Sequence, residues 1–539
     1  MRHVVTVTLT LALALSACVQ NSNDPLPEEL RATTNPYFWP GSAYPVTHWN
    51  SAQQDVSNIG MPTGTIRVAP EDVSFITNNL INYSLGDMPL PDGKRVAWYA
   101  GPSTVGKLRI DGGLFEKLGE YNVPEGAAFN ISSERLEALL LRLDAAGRDE
   151  AELLTSFRTV FESGYNVSAI YNGIYNVVDK DGYFYTNYGT TLYKFGDAEP
   201  GNPLSGVKVY DRLDIKKRLP PDIAAGVNRF IGVNMTFDGH LVLAFSGGIG
   251  VTDRDFKNLA FLSIPGEAVE NSVAVDPDGG IYLPTSKKMY KFVWTGEGLS
   301  RNPADGAWET EYDVADVKIP GVLSQGSGTT PTLIGMGPGE DKLVAISDYG
   351  DPAKVVVFWA DDIPADFEQK PGTKSRRIAD QIAVKIDVLG TIESSFSGFG
   401  NGFVAYNQIP PQLVIEDGQN MLLTSMLVAG FTRPTGRGIE KFVWNKEERR
   451  LESQWVDQSV PMTITVPTYN QPTNTLYVHG VENGVFGIYG IDWNTGKRVS
   501  FIELGTSHKF QVFGGAVIPL NEKEFWLTGA FGPVRIRVD

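Results

Sequence analysis

One short pattern recurs along the chain: an apolar strand, an acidic-Gly turn, then a strand rich in Tyr, Leu and Ile. It is clearest in "ENSVAVDPDGGIYLPTSKKMYKFVW" (270–294), which turns at Asp278-Gly279. It returns at Asp92-Gly93 before "KRVAWYAG", at Asp181-Gly182 in "IYNVVDKDGYFYTNYGTTLYKF", at Asp238-Gly239 in "IGVNMTFDGHLVLAF" and at Asp417-Gly418 in "QLVIEDGQNMLLTSML". Looser copies turn at Asp341, Asn470 and Asn521. Alternating apolar residues around an Asp-Gly turn specify hairpins. Most spacings lie near the roughly 40–50 residues of a four-stranded propeller blade. The 57 glycines and 11% aromatic content suit many tight turns and short strands. The expectation is an all-β chain, an eight-bladed β-propeller over 61–539, with seven blades as the alternative.

Two departures from the repeat carry information. Between 132 and 163 the apolar period changes from 2 to 3.6. Leu136, Leu139, Leu140 and Leu143 form one stripe, and Leu153, Leu154, Phe157, Val160 and Phe161 another. With Ser133 as N-cap and Gly147 as terminator, this predicts a helical hairpin at about 130–163, inserted between the first two blades. After the Asn521 turn the chain holds only "EFWLTGAF" and "VRIRVD", one strand short of a blade. "TGTIRVAP" (63–70) is the expected donor of the missing outer strand, joining N- to C-terminus and removing an open edge.

The N-terminus reads as an export signal: Met1-Arg2-His3, then an apolar run from Val4 to Leu15, too short to span a bilayer. Leu15-Ser16-Ala17-Cys18 resembles the bacterial lipobox, and Cys18 is the one cysteine of the chain. The resemblance implies a signal peptide at 1–17, lipid attachment at Cys18, a tether and lead-in segment at 18–60, and a cell-envelope protein. Val19 after the cysteine implies the outer membrane, facing the periplasm or the surface. A single cysteine excludes disulfides, zinc-thiolate sites and cysteine catalysis. The net charge of -17 argues against nucleic acid as a partner.

Two propeller families are similar to parts of the sequence. "GIYGIDWNTGKRVSFIELG" (487–505) resembles the blade motif of pyrroloquinoline-quinone-type propellers through Asp492, Thr495, Gly496 and Lys497. Ser500 or Phe501 stands where that motif often has Trp. "ENSVAVDPDGGIYLPTS" resembles the strand of gluconolactonase-like propellers in which a Glu or Asn reaches a central Ca2+. By that resemblance Glu270 and Asn271 are candidate metal ligands.

Further candidates lie where inner strands begin. Asn228 and Asn407 are candidate ligand-binding residues, and His508 is a candidate general base, since a histidine titrates near neutral pH. The five histidines are not at metal-ligand spacing, and Gly-x-Ser-x-Gly, His-Glu-x-x-His and a Walker loop are absent. The favoured expectation is an envelope lipoprotein whose propeller binds a protein or small-molecule partner without catalysis. A Ca2+-dependent lactonase or hydrolase, and then a quinone-dependent dehydrogenase, are the alternatives.

Overall fold

The computed structural model describes residues 34–78, 84–111, 114–129, 131–161, 172–317, 319, 322–416 and 419–538. The expected signal peptide, Cys18 and the first part of the tether lie outside these residues, as do Asp417 and Gly418.

The repeated turns have a common mechanical basis. Gly93, Gly182, Gly239 and Gly279 each adopt φ between 82 and 88°, where a Cβ is disfavoured. In two units a buried aspartate two residues before the Asp-Gly pair caps the turn. Asp179 Oδ1 accepts from the N–H of Asp181 (3.0 Å) and Tyr183 (2.9 Å), and its Oδ2 from Tyr185 Oη (3.1 Å). Asp276 Oδ1 accepts from the N–H of Asp278 (2.9 Å) and Gly280 (2.7 Å), and its Oδ2 from Tyr282 Oη (2.8 Å).

The strands form a β-propeller. Among the described residues there are eight sheets of four or more strands and one two-stranded ribbon. The sheets begin with the inner strands Ser84–Pro89, Asn176–Val178, Phe230–Met235, Ala274–Val275, Thr332–Ile334, Ser397–Phe399, Thr468–Asn470 and Val512–Asn521. The ring closes through an apolar seam. Leu85, Ala97 and Tyr99 of the first sheet pack with Ala516, Ile518 and Trp526 of the last. Each large side chain fully buried there contributes roughly 1.5–3 kcal/mol. The three-residue strand Val73–Phe75 pairs antiparallel with Val534–Arg537 and completes the last sheet. Its hydrogen bonds are worth only about 1 kcal/mol each, so the seam dominates closure.

Two expectations are corrected. Thr65–Arg67, within "TGTIRVAP", pairs parallel with Arg498–Gly505 of the seventh sheet, and Val73–Phe75 supplies the outer strand of the last. The inner turn of the sixth sheet is at Gly400-Asn401, between Ser397–Phe399 and Gly402–Tyr406. The Asp417 region forms the small ribbon Ile415–Glu416 with Gln419–Asn420, inside a long connection of that sheet. Asp-Gly is equally good at closing either hairpin, so the pattern alone does not distinguish them.

Neighbouring sheets are stapled by buried lysines. Lys107 Nζ reaches Asp197 (2.7 Å), Lys194 reaches Asp255 (2.8 Å), and Lys291 reaches Asp361 (2.8 Å) and the Ala360 carbonyl (3.1 Å). Lys441 donates to the Trp493 carbonyl (2.8 Å) and lies 4.3 Å over its ring; burial pushes this ammonium down to about 8. Three of the four occur as Lys-Phe in the third strand (Lys194-Phe195, Lys291-Phe292) or its equivalent (Lys441-Phe442).

Helices α1 (Ser133–Ala146) and α2 (Glu150–Phe161) follow the first sheet. Ser132, one residue before the expected cap, accepts from Arg135 N–H, and Gly147 ends α1 at φ 56°. Leu136, Leu139, Leu140, Leu143, Leu153 and Phe157 are buried. They join a cluster with Met426 and Leu427 of the helix Leu422–Val428 and with Phe510 of the short turn of helix His508–Phe510 before the last sheet.

The largest departure from expectation is in the lead-in segment. Residues 35–57 are a strap threaded through the centre of the ring. Its carbonyls at Ser51, Ala52, Gln54, Asp55 and Ser57 accept from the N–H of Val275 (2.7 Å), Leu333 (3.1 Å), Gly398 (2.7 Å), Tyr469 (2.9 Å) and Gln471 (2.9 Å). Pro45 accepts from Val178 N–H (2.7 Å), and Asn234 Nδ2 donates to Ser51 O (3.0 Å). A solvated tether would leave those inner edges open. Deleting residues 34–59 is therefore expected to abolish the single cooperative thermal transition in calorimetry and circular dichroism. A native-like melt of the deleted protein would refute this role.

Candidate functional site

A cavity of about 180 Å³ lies at the centre of the ring, between the strap and the helix Leu422–Val428. Its apolar lining includes Ile174, Leu323, Leu422, Leu423, Ile464 and Phe513. Its polar lining includes Glu270 and Asn271, Glu393-Ser394-Ser395, and His48 of the strap.

The polar residues are set by the starts of inner strands. Glu270 and Asn271 precede the inner strand of the fourth sheet, and Glu393 to Ser395 precede that of the sixth. Glu393 Oε1 accepts from the N–H of Leu323 (2.6 Å) and Ser324 (3.1 Å), and its Oε2 from Ser324 Oγ (3.1 Å). Glu270 Oε2 accepts from Gln325 N–H (3.2 Å). The two glutamates thus clasp the 323–325 loop at the cavity edge.

His48 is the strap's contribution. Its Nδ1 is 2.8 Å from Asp55 Oδ1, and its Nε2 is 3.3 Å from Ser395 Oγ. The local backbone is strained to make this arrangement: His48, Trp49, Gln53 and Asp55 have φ between 54 and 69°. Asp55 is fully buried; burial pushes its carboxyl up to about 6, against the opposing pull of His48. Among the described residues, Asp55 Oδ2 is a buried oxygen with no hydrogen-bond partner.

Of the residues expected from sequence, Glu270 and Asn271 reach the cavity. Asn271 is a structural hub: its Oδ1 accepts from Tyr175 Oη (2.8 Å), Thr330 Oγ1 (3.0 Å) and Ser272 N–H (2.8 Å), and its Nδ2 donates to Gly328 O (2.7 Å). Its oxygen is therefore committed to the protein. Among the described residues, no group of three or more His, Cys, Asp or Glu is placed to hold a metal ion. Asn228 and Asn407 do not line the cavity: Asn228 is exposed, and Asn407 caps a local turn by accepting from Ile409 N–H (3.0 Å).

His508 is likewise away from the cavity. It is fully buried, 3.2 Å from Asp144 Oδ1 of α1, and stacked on Phe431 with ring centroids 4.4 Å apart. Although burial works in the opposite direction, hydrogen bonds from His508 and Ser507 hold the Asp144 carboxyl below its ordinary value. Glu150, at the start of α2, binds Thr432 Oγ1 (2.7 Å) and Arg433 Nη2 (2.8 Å). These contacts fasten the helical insertion across the connections of the sixth and eighth sheets. They make His508 a docking residue.

Sequence reading missed His48, Asp55, Ser394, Ser395 and Glu393. His48 and Ser395 are 347 positions apart, so no local motif joins them. The available signal was the polar stretch "THWNSAQQD" (47–55), which lacks strand alternation yet is almost wholly buried.

No family model matches the chain. An uncharacterized protein of Archaeoglobus fulgidus is 27% identical over 427 residues, covering 77% of this chain and 72% of that protein. Among solved structures, a europium-containing methanol dehydrogenase is similar with a TM-score of 0.50 and 10% identity, covering 91% of this chain and 89% of the other. A Bacteroides fragilis protein assigned as a 6-phosphogluconolactonase has a TM-score of 0.39 and 12% identity, over 76% of this chain and 93% of the other. The dehydrogenase likeness shows the propeller fold.

The buried Asp55 has a consequence for stability. Its folded value, about 6, lies above its ordinary 3.8, so the folded state holds this proton more tightly. Its contribution to stability is greatest below the ordinary value and declines as pH rises toward 6. Asp55→Asn is expected to flatten the stability profile between pH 4 and 6. It should also leave the protein at least as stable as the parent at pH 7, by up to about 3 kcal/mol. Urea unfolding across that range checks this; a less stable variant with an unchanged profile would contradict it.

Proposed function

We propose that the protein is an envelope lipoprotein whose propeller binds a small amphipathic molecule in the central cavity. The observation that carries this reading is the cavity itself. Its lining combines apolar side chains with Glu270, Glu393, Ser394, Ser395 and His48, and Leu422 and Leu423 of the helix Leu422–Val428 contribute to it. Pockets for drug-sized ligands occupy roughly 300–1,000 Å³, so this one suits a smaller molecule with one polar end.

We read the sheets as eight blades of one ring, with seven blades as the alternative, and the strap as its axle. α1, α2 and the helix Leu422–Val428 act as a lid over the ligand end. The lipobox-like Leu15 to Cys18 supports anchoring through a lipid at Cys18, with the propeller held at the outer membrane. A Ca2+-dependent reaction has less support, because Asn271 Oδ1 is committed and the glutamates are tied to backbone N–H groups. Quinone chemistry rests on the one Asp492–Lys497 turn alone.

Two measurements test the reading. A calorimetric screen of small amphipathic esters, amines and alcohols should give a saturable ligand. Leu423→Trp, which fills the cavity from its roof, should weaken that ligand at least about tenfold while preserving cooperative unfolding; undiminished binding would place the ligand elsewhere. Cys18→Ser should move the protein from the membrane to the soluble fraction, with loss of the lipid mass on the N-terminal peptide. An unchanged distribution would refute the anchor.

A further inference from the structure

We infer that Ser395, His48 and Asp55 form a nucleophile, base and orienting acid that hydrolyse a small carboxylic ester, open-chain or cyclic, in the central cavity. The inference rests on the cavity being the ligand site. Three observations carry it.

The connectivity is directional. An ionised Asp55 can only accept, so its 2.8 Å contact fixes the proton of His48 on Nδ1. Nε2 then carries the lone pair and faces Ser395 Oγ at 3.3 Å, long for a hydrogen bond but ordinary before substrate tightens such a site. The Thr330 N–H donates to the same Oγ at 3.2 Å and favours negative charge developing there. A nucleophile, a base within reach and a buried carboxylate behind the base define this chemistry wherever it occurs.

The group also opens onto the right space. His48 and Ser395 line the cavity, whereas Asp55 is completely buried behind them. The apolar part of the lining, with Leu422, Leu423, Ile464 and Phe513, suits the acyl or alkyl part of an ester. In addition, the arrangement is held at a cost. The strap concentrates left-handed non-glycine residues at His48, Trp49, Gln53 and Asp55. A strap needed only to fill the ring would be better served by glycine at those positions and by an apolar side chain in place of buried Asp55.

The reaction balances with water as the second reactant. Ser395 Oγ attacks the carbonyl carbon, and its proton passes to His48 Nε2. The C–O bond to the alcohol breaks, and the leaving oxygen takes that proton. Water then attacks the acyl-serine carbon, giving a proton to His48 Nε2. The bond to Oγ breaks, Oγ recovers the proton, and a carboxylic acid departs. Asp55 stays ionised and stabilises the protonated imidazole.

A short alkyl fluorophosphonate tests the nucleophile without knowledge of the substrate. The intact folded protein is expected to gain one phosphonyl adduct, mapped by peptide mass spectrometry to Ser395. Ser395→Ala and His48→Gln, each with a parent-like melt, should lose it. Hydrolysis of p-nitrophenyl acetate should fall about 10³-fold or more in both. Mapping on the parent protein keeps the test decisive if a variant unfolds. Absence of an adduct, an adduct on another residue, or a folded Ser395→Ala that still hydrolyses the ester would overturn the inference. Saturable binding blocked by Leu423→Trp, without an adduct, would remove the hydrolase and leave the binding reading standing. Loss of both would remove both.

Discussion

A closed ring of sheets solves the edge problem on the outside and creates another at its centre. The first strand of every sheet turns one row of N–H and C=O groups toward the axis. In this protein the strap occupies that axis. It bonds by backbone to the second sheet at Val178, the fourth at Val275, the fifth at Leu333, the sixth at Gly398 and the seventh at Tyr469. The third is reached through Asn35 Nδ2 to Met235 O (3.1 Å), and the first through Asp87 Oδ2, which accepts from Ala43 N–H (2.8 Å). Trp49 packs into the seam between the first and last sheets. A strap that must address strands from all sides within about two dozen residues has to turn at almost every position. That requirement explains its left-handed residues and its run of buried polar side chains.

The lid depends on the same long-range logic. The helical insertion leaves the chain after the first sheet but docks on the sixth and eighth. The pairs Asp144–His508 and Glu150–Arg433, and Arg148 Nε donating to Phe431 O (2.8 Å), fix its position over an apolar cluster. These polar contacts are few and some are partly exposed, so most of the attachment energy comes from the leucine stripe and the contacts set its register. The helix Leu422–Val428, held beneath this insertion, forms the cavity roof.

The fold was legible in the sequence where its physics is local. Asp-Gly turns, alternating strands and the change to a 3.6 period each act over a few residues, and they marked both helices and most of the hairpins, the exception being Asp417-Gly418, whose pattern fits a ribbon inside a connection as well as a sheet turn. The lysine staples were equally legible in retrospect, as Lys-Phe pairs at matching strand positions. What failed was pairing between distant segments. "TGTIRVAP" satisfies the strand pattern, yet which sheet edge it joins is decided by the path of the strap before it. At the site, Glu270 and Asn271 were found through a local resemblance to the strand of gluconolactonase-like propellers. His48 and Asp55 were missed because a polar segment near the N-terminus has the composition of a tether; only the ring around it buries it. His508 looked functional for the opposite reason: a histidine at a strand start draws notice, but its partners come from an insertion whose docking no local rule specifies.

The strap therefore joins the folding problem to the chemical one. Burying Asp55 beside His48 opposes stability, since a carboxylate without full solvation is costly unless paired, and Oδ2 here has no partner among the described residues. An apolar strap segment would close the ring without that cost. The ring supplies ample compensation through the apolar cores between its sheets, and a propeller of this size tolerates a locally unfavourable centre. Rigid inner strands from separate sheets then hold Ser395 and the glutamates around a histidine that reaches them through the axis. A polar group at the axis touches many strands at once, so it can be positioned to a fraction of an ångström without any strand bending toward it. This geometric advantage favours chemistry at the centre of the ring over its exposed loops.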